Sequence, residues 1–72
     1  MKYFKFSEFE TAGMVVSDKT IQYNIEKLVD NVLDRTRTFY GHAIYVVDGY
    51  NLKSAHQGHS TGCAADITTK TL

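Results

Sequence analysis

The chain has 72 residues, of which 43% are hydrophobic and 22% charged, and its eight basic side chains balance eight acidic ones. This length accommodates one small domain, and a chain without net charge lacks the basic stripe that binding to nucleic acid or anionic lipid requires. The longest apolar run, residues 43–47, is far shorter than a membrane span of about 18 residues. We therefore expect a single domain over residues 1–72 that binds no nucleic acid and enters no membrane.

The N-terminal segment and the cysteine content indicate the cellular compartment. Charges interrupt the apolar residues of the first eight positions, so the apolar stretch of about 7–15 residues that marks a secretory signal is absent. Synthesis in the cytoplasm without a signal peptide is expected. The single cysteine, Cys63, excludes an internal disulfide. A chain this short buries only about 60% of its unfolded surface, so a metal or a partner is expected to add stability.

Two helices are predicted in the first half of the chain. Ser7 and Glu10 have the spacing of a capping box and Gly13 suits a left-handed stop, which predicts a short helix at about 8–12. Ser17 or Asp18 caps a long helix over roughly 18–40, which ends at Gly41. Its apolar face repeats every three or four residues. The members of that face are Ile21, Ile25, Leu28, Val29, Val32 and Leu33. The opposite face, with Lys27, Asp30, Asp34 and Arg37, is expected to be solvated.

Two strands and a polar loop are predicted in the second half. Residues 44–47 are β-branched or aromatic and stop at Asp48-Gly49, which favours a strand, whereas residues 51–62 have no apolar period and read as a loop. Residues 63–68 are expected to form a second strand. Strand alternation would place Cys63 on the core face as a small buried hydrophobe and Asp66 on the other face, toward the polar loop. The fold class is therefore α+β, with a short helix and a long helix packed on a small, mainly antiparallel sheet.

The histidines and Asp66 form the constellation with chemical content. His56 and His59 lie in the predicted loop, and Asp66 follows seven residues after His59. Imidazole and carboxylate are both zinc ligands, and catalytic zinc sites use three protein ligands with water in the fourth position. A solvated loop histidine is the alternative for each of these imidazoles. His42, beside the end of the long helix, is better explained by the helix dipole.

The order of these segments resembles a known family. Residues 59–67, His-Ser-Thr-Gly-Cys-Ala-Ala-Asp-Ile, look like the H-x-x-G-x-A-x-D-[IVL] motif of the zinc D-Ala-D-Ala carboxypeptidase family. Residues 44–50 resemble that family's strand ending in Ser-Gly-Tyr-Arg, and residues 6–9 and 28–37 resemble the start of its phage and gut-bacterial subgroup. The resemblance implies the first half of a D,D-peptidase domain, a truncated hedgehog/D,D-peptidase-like fold. It also implies a zinc cofactor held by His59 and Asp66, with His56 as an alternative third ligand.

The chain departs from the family pattern at several positions. Asn51 stands where the family has an arginine that helps to hold the substrate, and Gln57 stands where it has a serine. The family's third ligand, a histidine, and its general-base carboxylate come from strands beyond this motif, and no matching residues were found in this chain. Asp48 is the nearest carboxylate in sequence, although the family does not use that position as a base. Catalytic and substrate-binding residues therefore stay unassigned.

The resemblance implies a hydrolase of the cell wall. A member of this family, as in many phage endolysins, would act on peptidoglycan stem peptides, and this chain is expected to be an incomplete version that hydrolyses them poorly. The alternative is a non-catalytic interaction or self-assembly module that retains the fold. In that case an exposed strand edge would pair with a second copy of the chain.

Overall fold

The computed structural model describes residues 1–69 and has the expected α+β architecture. A 3₁₀ helix at Phe6–Phe9 is followed by a long helix, a two-stranded antiparallel sheet and one further short helix between the strands. The long helix consists of α1 (Lys19–Leu28), a π-helical turn (Val29–Leu33) and α2 (Asp34–Tyr40). The remaining elements are β1 (Tyr45–Asp48), α3 (Gln57–Thr61) and β2 (Asp66–Thr68).

The long helix begins and ends where the sequence predicts. The carboxylate of Asp18 accepts hydrogen bonds from the amides of Thr20 and Ile21, which would otherwise lack partners in the first turn. At the other end Gly41 has a φ of +81°, a left-handed conformation that glycine adopts without steric cost. Both helix limits therefore follow from local capping chemistry.

The π-helical turn alters the apolar face of this helix. The amide of Asp34 donates to the carbonyl of Val29, five residues earlier, so this turn holds one more residue than an α-helical turn. Val29 and Leu33 are both buried, whereas Val32, turned away from them by the wider turn, is half exposed. The prediction that Val32 belongs to the core face is wrong, because that prediction assumed a constant α-helical period.

The short N-terminal helix lies slightly earlier than predicted. At its N-terminus the carboxylate of Glu8 accepts a hydrogen bond from the Lys5 amide at 2.7 Å. The predicted capping box of Ser7 and Glu10 does not form. Glu10 instead accepts from the Val16 amide at 2.8 Å and closes the following loop. Gly13 is left-handed as expected, but it lies within that loop, beyond the helix end.

The N-terminal segment is held against the side of the long helix that was expected to be solvated. Asp34 accepts hydrogen bonds from the amides of Lys2 and Tyr3, at 2.7 and 3.0 Å. The terminal ammonium lies 2.9 Å from the Asp30 carboxylate, and this hydrogen bond raises the pKa of the amine above its ordinary value. The two aspartates thus fasten the first residues of the chain to the helix.

The sheet contains a bulge that matters for the site. β1 and β2 pair with Tyr45 opposite Thr68 and Val46 opposite Ile67, but the next partners are Asp48 and Asp66. Two residues of β1 therefore span the step that one residue spans in β2, which is the defining feature of a β-bulge. A regular register would have placed Asp48 opposite Ala65.

The core lies between the long helix, the N-terminal segment and β1. Phe4 and Phe9 are buried in it, with ring centroids 6.3 Å apart, whereas Phe39 near the end of the long helix is 95% exposed. The other buried apolar residues are Val16, Ile25, Val29, Leu33, Ile44, Val46 and Tyr50. Among residues 1–69, no helix has the length and apolar character that crossing a membrane requires.

Candidate metal centre

The segment that carries His59 is helical rather than a loop. α3 occupies residues 57–61, within the region that the sequence predicts to be irregular. His56 caps its first turn by accepting from the Gly58 amide at 3.2 Å, and Gly62 ends it with a φ of +79°. A capping histidine is an unusual helix start, so the usual Ser, Thr, Asp or Asn marker was absent from the sequence.

Among residues 1–69, His59 is the one polar residue that is buried, with 8% of its surface exposed. Its Nδ1 lies 3.0 Å from the carbonyl oxygen of Gly49. A carbonyl can only accept, so Nδ1 carries the proton and Nε2 is left as the basic nitrogen. The ring orientation and the tautomer are therefore both fixed by the backbone at the end of β1.

Gly49 is held in turn by the N-terminal segment. Its amide donates to the Thr11 hydroxyl at 2.9 Å, and the next amide, of Tyr50, donates to the Phe9 carbonyl at 2.8 Å. The backbones approach so closely that a Cβ added at position 49 would lie 2.7 Å from both Cα and O of Phe9. Glycine is required here by the close approach, which places the Gly49 carbonyl in front of His59.

Two carboxylates flank the imidazole. Oδ1 of Asp66 lies 3.8 Å from Nε2 of His59, and Oδ2 of Asp48 lies 3.8 Å from Nδ1. One ligand atom from each of the three residues lies within 4.8 Å of the others, so this group can hold a metal ion. The sequence predicted that Asp66 turns toward the polar segment that contains His59, and the two side chains lie 3.8 Å apart. It did not predict that Asp48 joins them.

The bulge explains why Asp48 was missed. Residue-by-residue counting along β1 cannot reveal that Asp48 lies opposite Asp66, because the irregular step at Val47 changes the register. The one available indication was Asp48-Gly49 at the strand end, which is a common position for irregular backbone.

His56 lies beside the group without belonging to it. Its ring contacts that of His59 edge-on, with 5.4 Å between centroids, but its Nδ1 is engaged by the Gly58 amide. Within residues 1–69 the group of potential ligands contains Asp48, His59 and Asp66 only. The alternative assignment of His56 as third ligand is therefore not supported by its position, which is that of a helix cap.

Three other residues considered in the sequence analysis, Cys63, Asn51 and His42, lie outside the group of potential ligands. Cys63 is exposed and precedes β2, so its predicted burial is wrong; it lies outside the strand alternation on which that prediction depended. Asn51 accepts from the Lys53 amide and so shapes the turn after Tyr50. The ring of His42 contacts Tyr40, with centroids 5.4 Å apart.

The group combines a buried, oriented imidazole with two carboxylates that reach water. The side chain of His59 is 10% exposed, whereas those of Asp48 and Asp66 are 42% and 69% exposed. One nitrogen and two oxygen donors suit zinc and other divalent ions. The exposed side of the group leaves room for water or another ligand to approach.

Comparison with known proteins identifies no relative. No family model, no curated protein and no solved structure matches this chain.

Proposed function

We propose that this chain is a zinc-binding domain of the D-Ala-D-Ala peptidase type, whose ligand is the peptidoglycan stem peptide. The observation that carries this proposal is the position of His59 and Asp66. The two residues of the H-x-x-G-x-A-x-D motif lie on different elements, α3 and β2, yet Nε2 of the histidine is 3.8 Å from the carboxylate.

The state of His59 also supports a metal ligand. Nε2 is the basic nitrogen of this tautomer, and the contact on its exposed side is Asp66 at a distance too long for a hydrogen bond. Metal-bound histidines usually donate their other ring nitrogen to a carbonyl or carboxylate, which fixes the ring. The hydrogen bond between His59 and Gly49 has this form.

Zinc, when bound, would polarise a peptide carbonyl and lower the pKa of a bound water toward about 7. The chain's own residues would hold the ion and keep one side open to a substrate. Among residues 1–69 the group of potential ligands has three members, all of which would bind the ion, and no residue is assigned as the general base. We therefore expect zinc-dependent binding of the stem peptide with slow hydrolysis.

The test is binding of a peptide ending in D-Ala-D-Ala to the zinc-loaded protein, followed by calorimetry, with release of D-alanine measured in the same samples. Binding should require zinc and should be lost in Asp66→Ala. The same peptide ending in L-Ala-L-Ala is the matched control and should bind more weakly. If the zinc-loaded protein binds neither peptide, or binds both equally, the peptidase-type assignment is contradicted.

A second candidate function, a self-assembly module, is favoured by the sheet. The described sheet has two strands only, and Val47 and Ile67 expose 41% and 39% of their surface on it. An edge strand of a sheet can serve as a template for pairing with another chain. Sedimentation velocity over a wide concentration range decides this candidate: a dimer that dissociates in Ile67→Lys supports it, and a monomer at every concentration contradicts it.

A further inference from the structure

We propose that Asp48 is the third protein ligand of the metal centre, so that residues 48–66 contain the complete ligand set. This inference depends on the proposed zinc site, and it concerns a residue that the peptidase motif does not include. It follows from the bulge in β1, the proton position on His59 and the distances among the three side chains.

The bulge first brings Asp48 to the site. It places Asp48 directly opposite Asp66 in the antiparallel pair, in a sheet where Val46 opposite Ile67 continues the regular register. Residues directly opposite one another carry their Cβ atoms about 4.5–5.5 Å apart. Two carboxylates at that separation repel each other, and a cation between them removes the repulsion.

The hydrogen bond of His59 then distinguishes between two roles for Asp48. A carboxylate near a metal-bound histidine often accepts the proton of the non-ligating nitrogen. Here that proton is directed to the Gly49 carbonyl at 3.0 Å, whereas Oδ2 of Asp48 is 3.8 Å from Nδ1, beyond hydrogen-bond distance. The orienting role is already filled, and Asp48 is left free to bind the ion.

The distances permit a common ion. Two atoms bound to one tetrahedral zinc are separated by about 3.4 Å, which follows from bond lengths of about 2.0–2.2 Å. With either ring nitrogen of His59 counted, one ligand atom from each residue lies within 4.8 Å of the others. Asp66 lies 3.8 Å from Nε2 and Asp48 lies 3.8 Å from Nδ1, so Asp48 must rotate toward Nε2 to share the ion. Both carboxylates are on the exposed side and can rotate, whereas the imidazole is held in place by Gly49.

A further consequence concerns the type of site. Three protein ligands with one open position are the arrangement of catalytic zinc centres, whereas structural centres use four. With Asp48 included, residues 1–69 supply three protein ligands without one from a later strand. The site would then bind an additional small ligand directly on the metal.

The experiment uses Co²⁺ in place of zinc, because the visible absorption of Co²⁺ depends on its ligands and geometry. The full chain, Asp48→Asn and the matched control Glu26→Gln are titrated with Co²⁺ and their spectra compared at saturation. Glu26 is an exposed residue of the long helix, and Glu26→Gln removes the same charge outside the group.

Asp48→Asn should bind Co²⁺ about tenfold or more weakly and give a different spectrum at saturation, while Glu26→Gln should match the unmodified chain. If Asp48→Asn gives the same spectrum and affinity as the unmodified chain, Asp48 is not a ligand. The same spectrum with weaker affinity would assign it a positioning role and also overturn the inference. If the unmodified chain binds no Co²⁺ or zinc, the proposed zinc site itself fails, which is a separate outcome.

Discussion

At the scale of single residues, Gly49 connects the N-terminal segment to the candidate metal centre. It receives a hydrogen bond from His59 through its carbonyl and donates one to Thr11 through its amide. Gly49 contributes only backbone atoms to both contacts, so its residue type does not reveal the role. The position of His59 therefore depends on backbone packing that becomes visible only in three dimensions.

Gly49→Ala should destabilise the domain. The added Cβ would lie 2.7 Å from backbone atoms of Phe9, which cannot move away as a flexible side chain would. We expect a loss of about 1–3 kcal/mol in the free energy of unfolding, as for other overpacked sites. Urea denaturation followed by circular dichroism measures this loss.

Gly13→Asn is the matched control for that measurement. Gly13 has a φ of +78°, but a Cβ there would meet nothing within 4 Å, and asparagine tolerates this conformation better than most residues. Its free energy of unfolding should change by less than that of Gly49→Ala. Equal effects of the two substitutions would show that close packing at Gly49 is unimportant.

The sequence predicts single residues well where the reason is local. Asp18 and Gly41 mark the ends of the long helix because capping involves only neighbouring amides and carbonyls. Strand alternation predicted that Asp66 faces the polar segment, and the family resemblance paired it with His59; the two side chains lie 3.8 Å apart. Asp48 was not assigned to the site, because its position results from a register change across two strands.

At the scale of elements, α3 is too short to be stable alone and depends on contacts with the long helix. The side-chain amide of Asn24 donates to the Thr61 carbonyl at 2.8 Å, at the C-terminal end of α3. Gly62 follows, and a Cβ there would lie 3.1 Å from the Ile25 side chain. Isolated helices of five residues are unfavourable because nucleation costs more than so few hydrogen bonds return.

Asn24→Ala should loosen α3 and weaken metal binding. The Thr61 carbonyl would lose its partner, and we expect a cost of about 0.5–1.5 kcal/mol in the free energy of unfolding. The zinc dissociation constant should rise because His59 lies on α3. Denaturation and calorimetry on the same sample measure both quantities.

Asn31→Ala is the control for this substitution. Asn31 is an exposed residue of the same long helix and lies outside the contacts with α3. Alanine there should leave both stability and zinc affinity almost unchanged. If Asn24→Ala behaved like Asn31→Ala in both measurements, α3 would not depend on the long helix as described.

The elements show why periodicity predicts some segments and misses others. The long helix was predicted because its apolar residues recur over many turns. The π-helical turn within it, the 3₁₀ form of the first helix and α3 were not, since each depends on particular hydrogen bonds over a few residues. Of these elements, α3 carries His59, and the bulge in β1 places Asp48 opposite Asp66.

At the scale of the whole molecule, the small core makes metal binding a potential source of stability. Nine apolar residues form the core of the described chain, and domains of this size are marginal without a further contribution. An ion bound only by the folded protein shifts the folding equilibrium by mass action. Zinc should therefore act as a structural as well as a chemical component.

Thermal unfolding with and without zinc measures that contribution. At a zinc concentration of 100 times Kd, the free energy of unfolding should rise by about 2.7 kcal/mol, which corresponds to a Tm increase of roughly 10–20 °C. His59→Ala is the control and should show no increase with zinc.

The most direct test of a zinc site built on His59 and Asp66 is a calorimetric titration of zinc into the metal-free protein. The full chain should bind one zinc ion per molecule. The double variant His59→Ala, Asp66→Ala should show no such binding while retaining the far-ultraviolet circular dichroism of a folded domain. Equal zinc binding by the two proteins, or none by either, would contradict the metal site.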